Sequence, residues 1–420
     1  MRNIDKATIE RIGRDPIFRL LLINMALVIL GYALGVLTGL ASVAPMRILK
    51  YTVLLISVLI VLKLNVRILS LLTRYAQGIF VLSAALFLFA LFTSSPLVSI
   101  GRALTFIIPF LYVALSVGYL LIRYTIRDTL NHCLNITNWI YFLPIVSYFI
   151  TGGSLTDTNI YYISVENNDT AFVSNHYGWS GTIFIVTGID LLRNANLPTW
   201  RRLLIVIFCG ISMYLVLISG NRTSWLSLLL VFMVFIVQYR RIALYQKAIL
   251  ALLPLGLIFY LIQDPTSALN NRINKTRVQA AKGEARASVA KTMSSYFNSN
   301  PVLWATGIGL FNSPRIKQII GWSGYHNSYF EVLFGTGVAM FLLFCYLLLV
   351  RPLWIYLRYF AEHYLFLFPF VVIPFFESNL TGGQFLFFPW FIFVLLMSYC
   401  RPIAELKQGF TNCRTGTQTP

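Results

Sequence analysis

Apolar runs of about 16 to 25 residues recur along almost the whole chain, and each is long enough to cross a bilayer as a helix. They fall near 17–40, 48–62, 77–93, 103–122, 135–152, 177–192, 203–219, 223–238, 244–262, 327–350, 364–377 and 385–400. The pattern predicts an all-α polytopic transmembrane bundle of about twelve helices, interrupted by one long polar segment. The chain then divides into an N-terminal segment (1–16), helices one to nine (17–262), a long basic loop (263–325), helices ten to twelve (326–400) and a C-terminal tail (401–420). The opening MRNIDKATIERIGRDPI is polar and has no small-residue cleavage site. The first apolar run is therefore expected to remain as a membrane helix rather than leave with a signal peptide.

Composition agrees with this reading. Residues are 58% hydrophobic and 11% charged, with a mean hydropathy of +0.74, which excludes a soluble 420-residue fold with a single core. The formal charge is +19, and most of it has a regular address. Lys63, Arg67 and Arg74, then Arg123 and Arg127, then Arg193, Arg201 and Arg202, then Arg240 and Arg241, then Arg351 and Arg358 fall in alternate loops. By the positive-inside rule these loops and both termini are cytoplasmic. The opposite loops are mostly short and poor in Lys and Arg, and the one from Asp157 to Ser174 carries Asp157, Glu166 and Asp169 with no base. Cys133, Cys209, Cys345, Cys400 and Cys413 have no paired spacing, so they are read as structural, with neither a disulfide framework nor a metal site.

The loop from Gln263 to Tyr325 breaks the charge rule. It carries Arg272, Lys275, Arg277, Lys282, Arg286, Lys291, Arg315 and Lys317 against Asp264 and Glu284. Long loops are translocated largely regardless of charge, so it stays external. Two readings of it compete. One is a solubilising surface with amphipathic helices on the outer leaflet; the other is a cationic lid over an anionic lipid-linked substrate such as a diphosphate, gripped by guanidinium forks.

Candidate chemistry gathers at the external side. His132 and His363 map to the cytoplasmic side, whereas His176 and His326 are external. His326 stands out because it lies between the basic loop and an apolar helix, with Asn327 beside it and Gly321 and Gly324 just before. An imidazole titrating near 6.5 can take a proton from a sugar hydroxyl. Arg222, in SGNRTSWLSLLL between two apolar runs, is costly near hydrocarbon unless it snorkels or pairs. No apolar span has an acid near its middle, so the relay of a coupled transporter is not visible. Glu331, five residues after His326, and Glu377, opening ESNLTGGQ, either solvate helix ends or support a base. No phosphate-binding Gly-Lys loop and no Gly-x-Ser-x-Gly elbow is present.

In order along the chain, SGNRTSW, GEARASVAKTMSSYFNSNPVLWATGIGLF, YHNSYFEVLFGTGVAMFLLF and FFESNL resemble the bacterial O-antigen ligase and polymerase family of membrane glycosyltransferases. The resemblance covers about residues 175–385 and implies transfer of a glycan from undecaprenyl diphosphate at the periplasmic face of the inner membrane, with no cofactor or metal. It implies that Arg222 and Arg286 hold the diphosphate, with Arg277 or Arg272 as alternatives to Arg286, and that His326 contacts or deprotonates the acceptor hydroxyl. His176, in NHYGWSG, is not expected to be catalytic. Asn221 stands where the family commonly has serine. The expected partners are the lipid-linked oligosaccharide and the membrane, with a chain-length regulator and a flippase of the same pathway, and no nucleic acid. Polymerase is the favoured activity; transfer to a lipid A core by a ligase and export by a flippase are the alternatives.

Overall fold

A computed structural model describes residues 12–38, 43–64, 74–150, 152–158, 160, 174–195, 197–238, 259, 263–267, 270–271, 273–274, 285–321, 325, 327–360, 363–366, 369 and 389–399. Helices dominate: α1 (Pro16–Thr38), α2 (Val43–Leu64), α3 (Arg74–Leu91), α4 (Pro96–Arg123), α5 (Ile126–Ile150), α6 (Ser174–Asn194), α7 (Thr199–Ile218) and α8 (Arg222–Gln238). After them come α9 (Ala285–Ser299), the one-turn α10 (Leu303–Thr306), α11 (Ser313–Ile320) and α12 (Ser328–Thr336). The long α13 (Val338–Tyr359) and α14 (Pro389–Tyr399) close the described part. Among the described residues, four helices are long and apolar enough to cross a membrane, within α4, α5, α7 and α13, and shorter apolar helices lie in α1, α2, α3, α8 and α14. The protein is a helical membrane bundle. The expected spans at 244–262 and 364–377 lie almost wholly outside the described residues.

One boundary differs from the sequence pattern. The apolar run 327–350 reads as a single span, but Gly337, at φ +83°, breaks it. Residues 328–336 form a separate short helix, and the candidate span begins at Val338. A continuous apolar pattern does not register such a break, because hydropathy is the same on both sides. Within α13, the stretch Tyr346–Val350 winds as a π-turn, and Leu347 there packs against Gly78 of α3.

Helix packing uses small residues, as expected where lipid is as apolar as the side chains and close backbone approach supplies the attraction. Gly178, Gly181 and Gly188 of α6 face its neighbours. A Cβ on Gly181 would lie 2.7 Å from Val216 Cγ2 and 2.9 Å from the Ser212 carbonyl, and one on Gly188 would lie 2.8 Å from Ile205 Cγ2. Polar side chains are turned inward. The Asn24 amide of α1 donates to Ser57 of α2 at 2.8 Å and to Tyr112 of α4 at 3.3 Å. Asn138 of α5 donates to Thr187 of α6 and accepts from Arg201 of α7, whose guanidinium lies 3.6 Å over the Trp139 ring. The apolar side chains left outward, such as Leu59, Val81, Leu203, Val206, Leu342 and Leu357, suit a lipid surround.

Contacts between connecting segments fall into two groups. At one end Asp15 pairs with Arg123 at 3.7 Å and accepts from Tyr124. Asp190 accepts from the backbone N–H groups of Leu365 and Phe366, and Asn194 donates to the His363 carbonyl. At the other end, 92–95 meets 309–313, and 157–160 meets the end of α7. The charge pattern sorts the same segments into the same two groups, with His132 and His363 at the first end.

The α6–α7 contact yields a test. Gly181→Ala should lower the thermal stability of the purified protein by about 1–3 kcal/mol, the usual cost of overpacking, because the clash includes a carbonyl fixed in a helix. Gly210→Ala, at a position with nothing within 4 Å of the added carbon, should leave the melting temperature unchanged.

Candidate functional site at the loop-bearing end

The turn between α7 and α8 places Arg222. Gly220, at φ +64°, reverses the chain, and Asn221 caps α8: its Oδ1 accepts from the N–H groups of Thr223 at 3.0 Å and Ser224 at 3.1 Å. Capping satisfies donors that the first helical turn leaves without partners. Asparagine and serine are both among the side chains that cap a helix well. Arg222 becomes the first residue of α8, half-buried, at the end where the helix dipole favours anions.

The same turn is wedged against α6. The Asn221 amide reaches the Asn175 carbonyl at 3.5 Å, and a Cβ on Gly178 would lie 2.7 Å from Ser219 Oγ. On the other side, the Ile160 N–H donates to the Ile218 carbonyl, and Tyr214 donates to the Asp157 carbonyl. Asp157 is itself fixed by Tyr148 and by the Ser154 N–H. His176 lies edge-on to Trp179, ring centroids 5.3 Å apart.

A second structure at this end is built from the glycine-rich stretch 307–337. Helices α9 and α11 close over a small core of Val289, Met293, Phe297, Ile316, Tyr325 and Phe334. From α10 the chain runs back against the break after α12: the Ile308 N–H donates to the Phe334 carbonyl and the Gly309 N–H to the Gly335 carbonyl. Gly307 has no room for a side chain against the Gly335 backbone, nor Gly337 against the Ala305 carbonyl. The strap then crosses to the end of α3 and the start of α4. The Leu310 N–H donates to the Phe89 carbonyl at 3.2 Å, Ser94 to Asn312 at 2.7 Å, Ser99 to the Phe311 carbonyl at 3.3 Å, and Arg102 to the Ser313 hydroxyl.

Beyond the strap, Asn327 caps α12, accepting from Tyr329 and Phe330. One turn on, Glu331 is buried, 3% exposed. Burial pushes its carboxyl up to about 7, and the Arg102 guanidinium opposes that shift. Arg102 is the residue that sequence reasoning missed. Its one signal was a charge in the second turn of an apolar helix, which is costly unless paired.

Of the residues expected at the site, Arg222 and Glu331 are described, and both lie at this end. The turn bearing Arg222 is seated on Asp157, Ile160, Asn175 and Gly178, while Glu331 lies on α12, to whose end the strap is bonded. Arg286 lies in the first turn of α9, with its side chain outside the description. His326, Arg277, Arg272 and Glu377 lie outside the described residues, although both neighbours of His326, Tyr325 and Asn327, lie inside them.

Residues 205–345 match the family model described as O-Antigen ligase. The matched stretch runs from α7 into α13 and includes Arg222, Arg277, Arg286, His326 and Glu331, but neither Arg102 nor Glu377. No curated protein matches the chain.

The cap gives the test for this geometry. Asn221→Ser should retain wild-type thermal stability to within a few tenths of a kcal/mol, whereas Asn221→Ala should cost about 0.5–2 kcal/mol. Equal melting temperatures for the two variants would show that the cap does not hold the turn.

Proposed function

We propose that this membrane glycan-processing protein is a polysaccharide polymerase, extending a lipid-linked repeat unit with glycan transferred from undecaprenyl diphosphate. The observation that most supports it is the capped turn that puts Arg222 at the positive end of α8, at the same end as the basic segment, inside the stretch that matches the O-antigen ligase family. On this reading that end faces the periplasm, both termini are cytoplasmic, and the protein lies in the bacterial inner membrane. A chain-length regulator and a flippase act in the same pathway.

The chemistry is a displacement at the anomeric carbon with inversion. The acceptor hydroxyl oxygen forms the new glycosidic bond while the bond from the anomeric carbon to the diphosphate oxygen breaks. That electron pair leaves on the diphosphate. Arg222, with Arg286 or Arg277, neutralises the growing charge, and His326 takes the hydroxyl proton. Glu331 and Glu377 support the base. Charge stabilisation is the larger contribution, because the guanidinium groups act on a polyanion near a low-dielectric medium.

A ligase that moves finished glycan to a lipid A core uses the same motifs, and the family match carries that activity's name. A deletion strain separates the two: loss of a polymerase leaves single repeat units at the surface, whereas loss of a ligase leaves long chains on the lipid carrier and bare core. A flippase predicts movement of lipid-linked glycan across liposomes with no lengthening.

In a deletion strain complemented with variants at equal membrane abundance, Arg222→Ala should reduce polymer formation by about 10²–10³-fold, read from the polysaccharide ladder. His326→Ala should be similarly impaired. A normal ladder from Arg222→Ala would remove that arginine from the mechanism.

A further inference from the structure

The basic segment contains a long uncharged stretch. Residues 292–314, between Lys291 and Arg315, carry no Asp, Glu, Lys, Arg or His, and their tip is apolar. Val302, just before α10, is 72% exposed, and Pro301 and Ala305 are exposed beside it. Leu303 and Trp304 are half-buried against the small core of α9, α11 and α12. Exposed apolar surface gathered in one place marks an interaction site.

Two contacts fix the height of this tip relative to the bilayer. On one side, a Cβ on Gly337 would lie 2.4 Å from the Ala305 carbonyl oxygen, and Gly337 directly precedes Val338, where the candidate span of α13 begins. On the other side, the strap that follows α10 meets the short turn between α3 and α4: the Leu310 N–H donates to the Phe89 carbonyl, and a Cβ on Gly309 would lie 2.5 Å from Thr93 Cγ2. Residues 92–95, a turn joining two apolar helices, stand where those helices leave the hydrocarbon. Both contacts hold α10 at the level where acyl chains give way to headgroups.

The surroundings match that level. Val338, Leu342, Tyr346 and Val350 of α13 are exposed at intervals of four, which places them on one face of the helix, and α10 touches the chain one residue before that face starts. The α3–α4 turn exposes Phe92 and, just beyond it, Leu97. Trp304 packs its ring against Phe297, centroids 5.2 Å apart, while its indole N–H donates to Asn298; an apolar body with a polar tip suits a membrane interface. Lys291, Arg315 and Lys317, which flank the stretch, are exposed, as anionic headgroups favour.

We propose that α10 is an interfacial anchor: Val302, with Pro301 and Ala305, dips into the leaflet at which α13 begins and holds the α9–α12 core against the membrane surface. The occupant is lipid rather than a second copy of the chain, because one helical turn offers far less than the roughly 800 Å² per partner of a stable protein interface. Exposure and contacts carry this inference, and it is independent of the proposed glycan transfer.

The test is power-saturation electron paramagnetic resonance on full-length protein in nanodiscs, with the native cysteines replaced and one nitroxide attached at a time. Oxygen partitions into acyl chains, whereas a nickel chelate stays in water. Leu342→Cys provides the acyl-chain reference and Gln318→Cys, on the exposed side of α11, the aqueous one. The nitroxide at Val302→Cys should be reached by oxygen and shielded from nickel, at about 5–10 Å into the boundary between headgroups and acyl chains. Ala305→Cys should be shielded in the same way, so a folding defect in one variant leaves the other to decide. Nickel access equal to that at Gln318→Cys overturns the proposal. Shielding from both oxygen and nickel also overturns it, since protein and not lipid would then cover the tip.

Discussion

The close backbone contact between Gly307–Gly309 and Gly335–Gly337 is the constraint on which the loop-bearing end depends. Two peptide segments approach so closely there that a single methyl group on Gly307 or Gly337 would overlap main-chain atoms. That contact does three things at once. It stops α12 at Gly337 so that α13 can begin as a separate membrane helix; it returns the chain from α10 to α12; and it delivers residues 310–313 to α4. Glycine suits this position because it has no side chain to displace and reaches the left-handed backbone region without steric cost.

The rest of the bundle solves a different problem, that of polar groups in hydrocarbon. Side chains such as Asn24, Asn138 and Arg201 are turned toward one another across helices, and small residues on α6 let backbones approach. Such pairings are modest individually, about 0.6 kcal/mol on average in one well-studied membrane protein, but they fix which helix faces which. They leave the ends of the helices free to specialise. One end is stitched by Asp15, Asp190 and Asn194. The other carries Arg222, the strap and the buried Glu331.

Much of the architecture was legible from hydropathy because crossing a bilayer demands long apolar runs, and ten of the twelve expected spans coincide with described helices. Arg222 was legible too, since a charge between two apolar runs with almost no loop has few structural reasons to exist. The break at Gly337 was not, because both flanks are apolar and one glycine among them carries little weight. Nor was Arg102, which lies just inside an apolar helix and resembles a span boundary. Arg47 and Lys50, in the first turns of α2, are similar exceptions to the charge alternation. What makes Arg102 informative is a partner more than two hundred residues away in sequence, and no local pattern records that.

The central claim is that the end bearing Arg222 and the strap faces outward, and impermeant thiol labelling of intact spheroplasts tests it most directly. In a background with the native cysteines replaced, single cysteines at Ser94, Thr156 and Pro314 should react before permeabilisation, and one at Thr199 or His363 only afterwards. Labelling in the reverse order would place Arg222 and the basic segment in the cytosol, where no lipid-linked glycan presented at the periplasmic face could reach them.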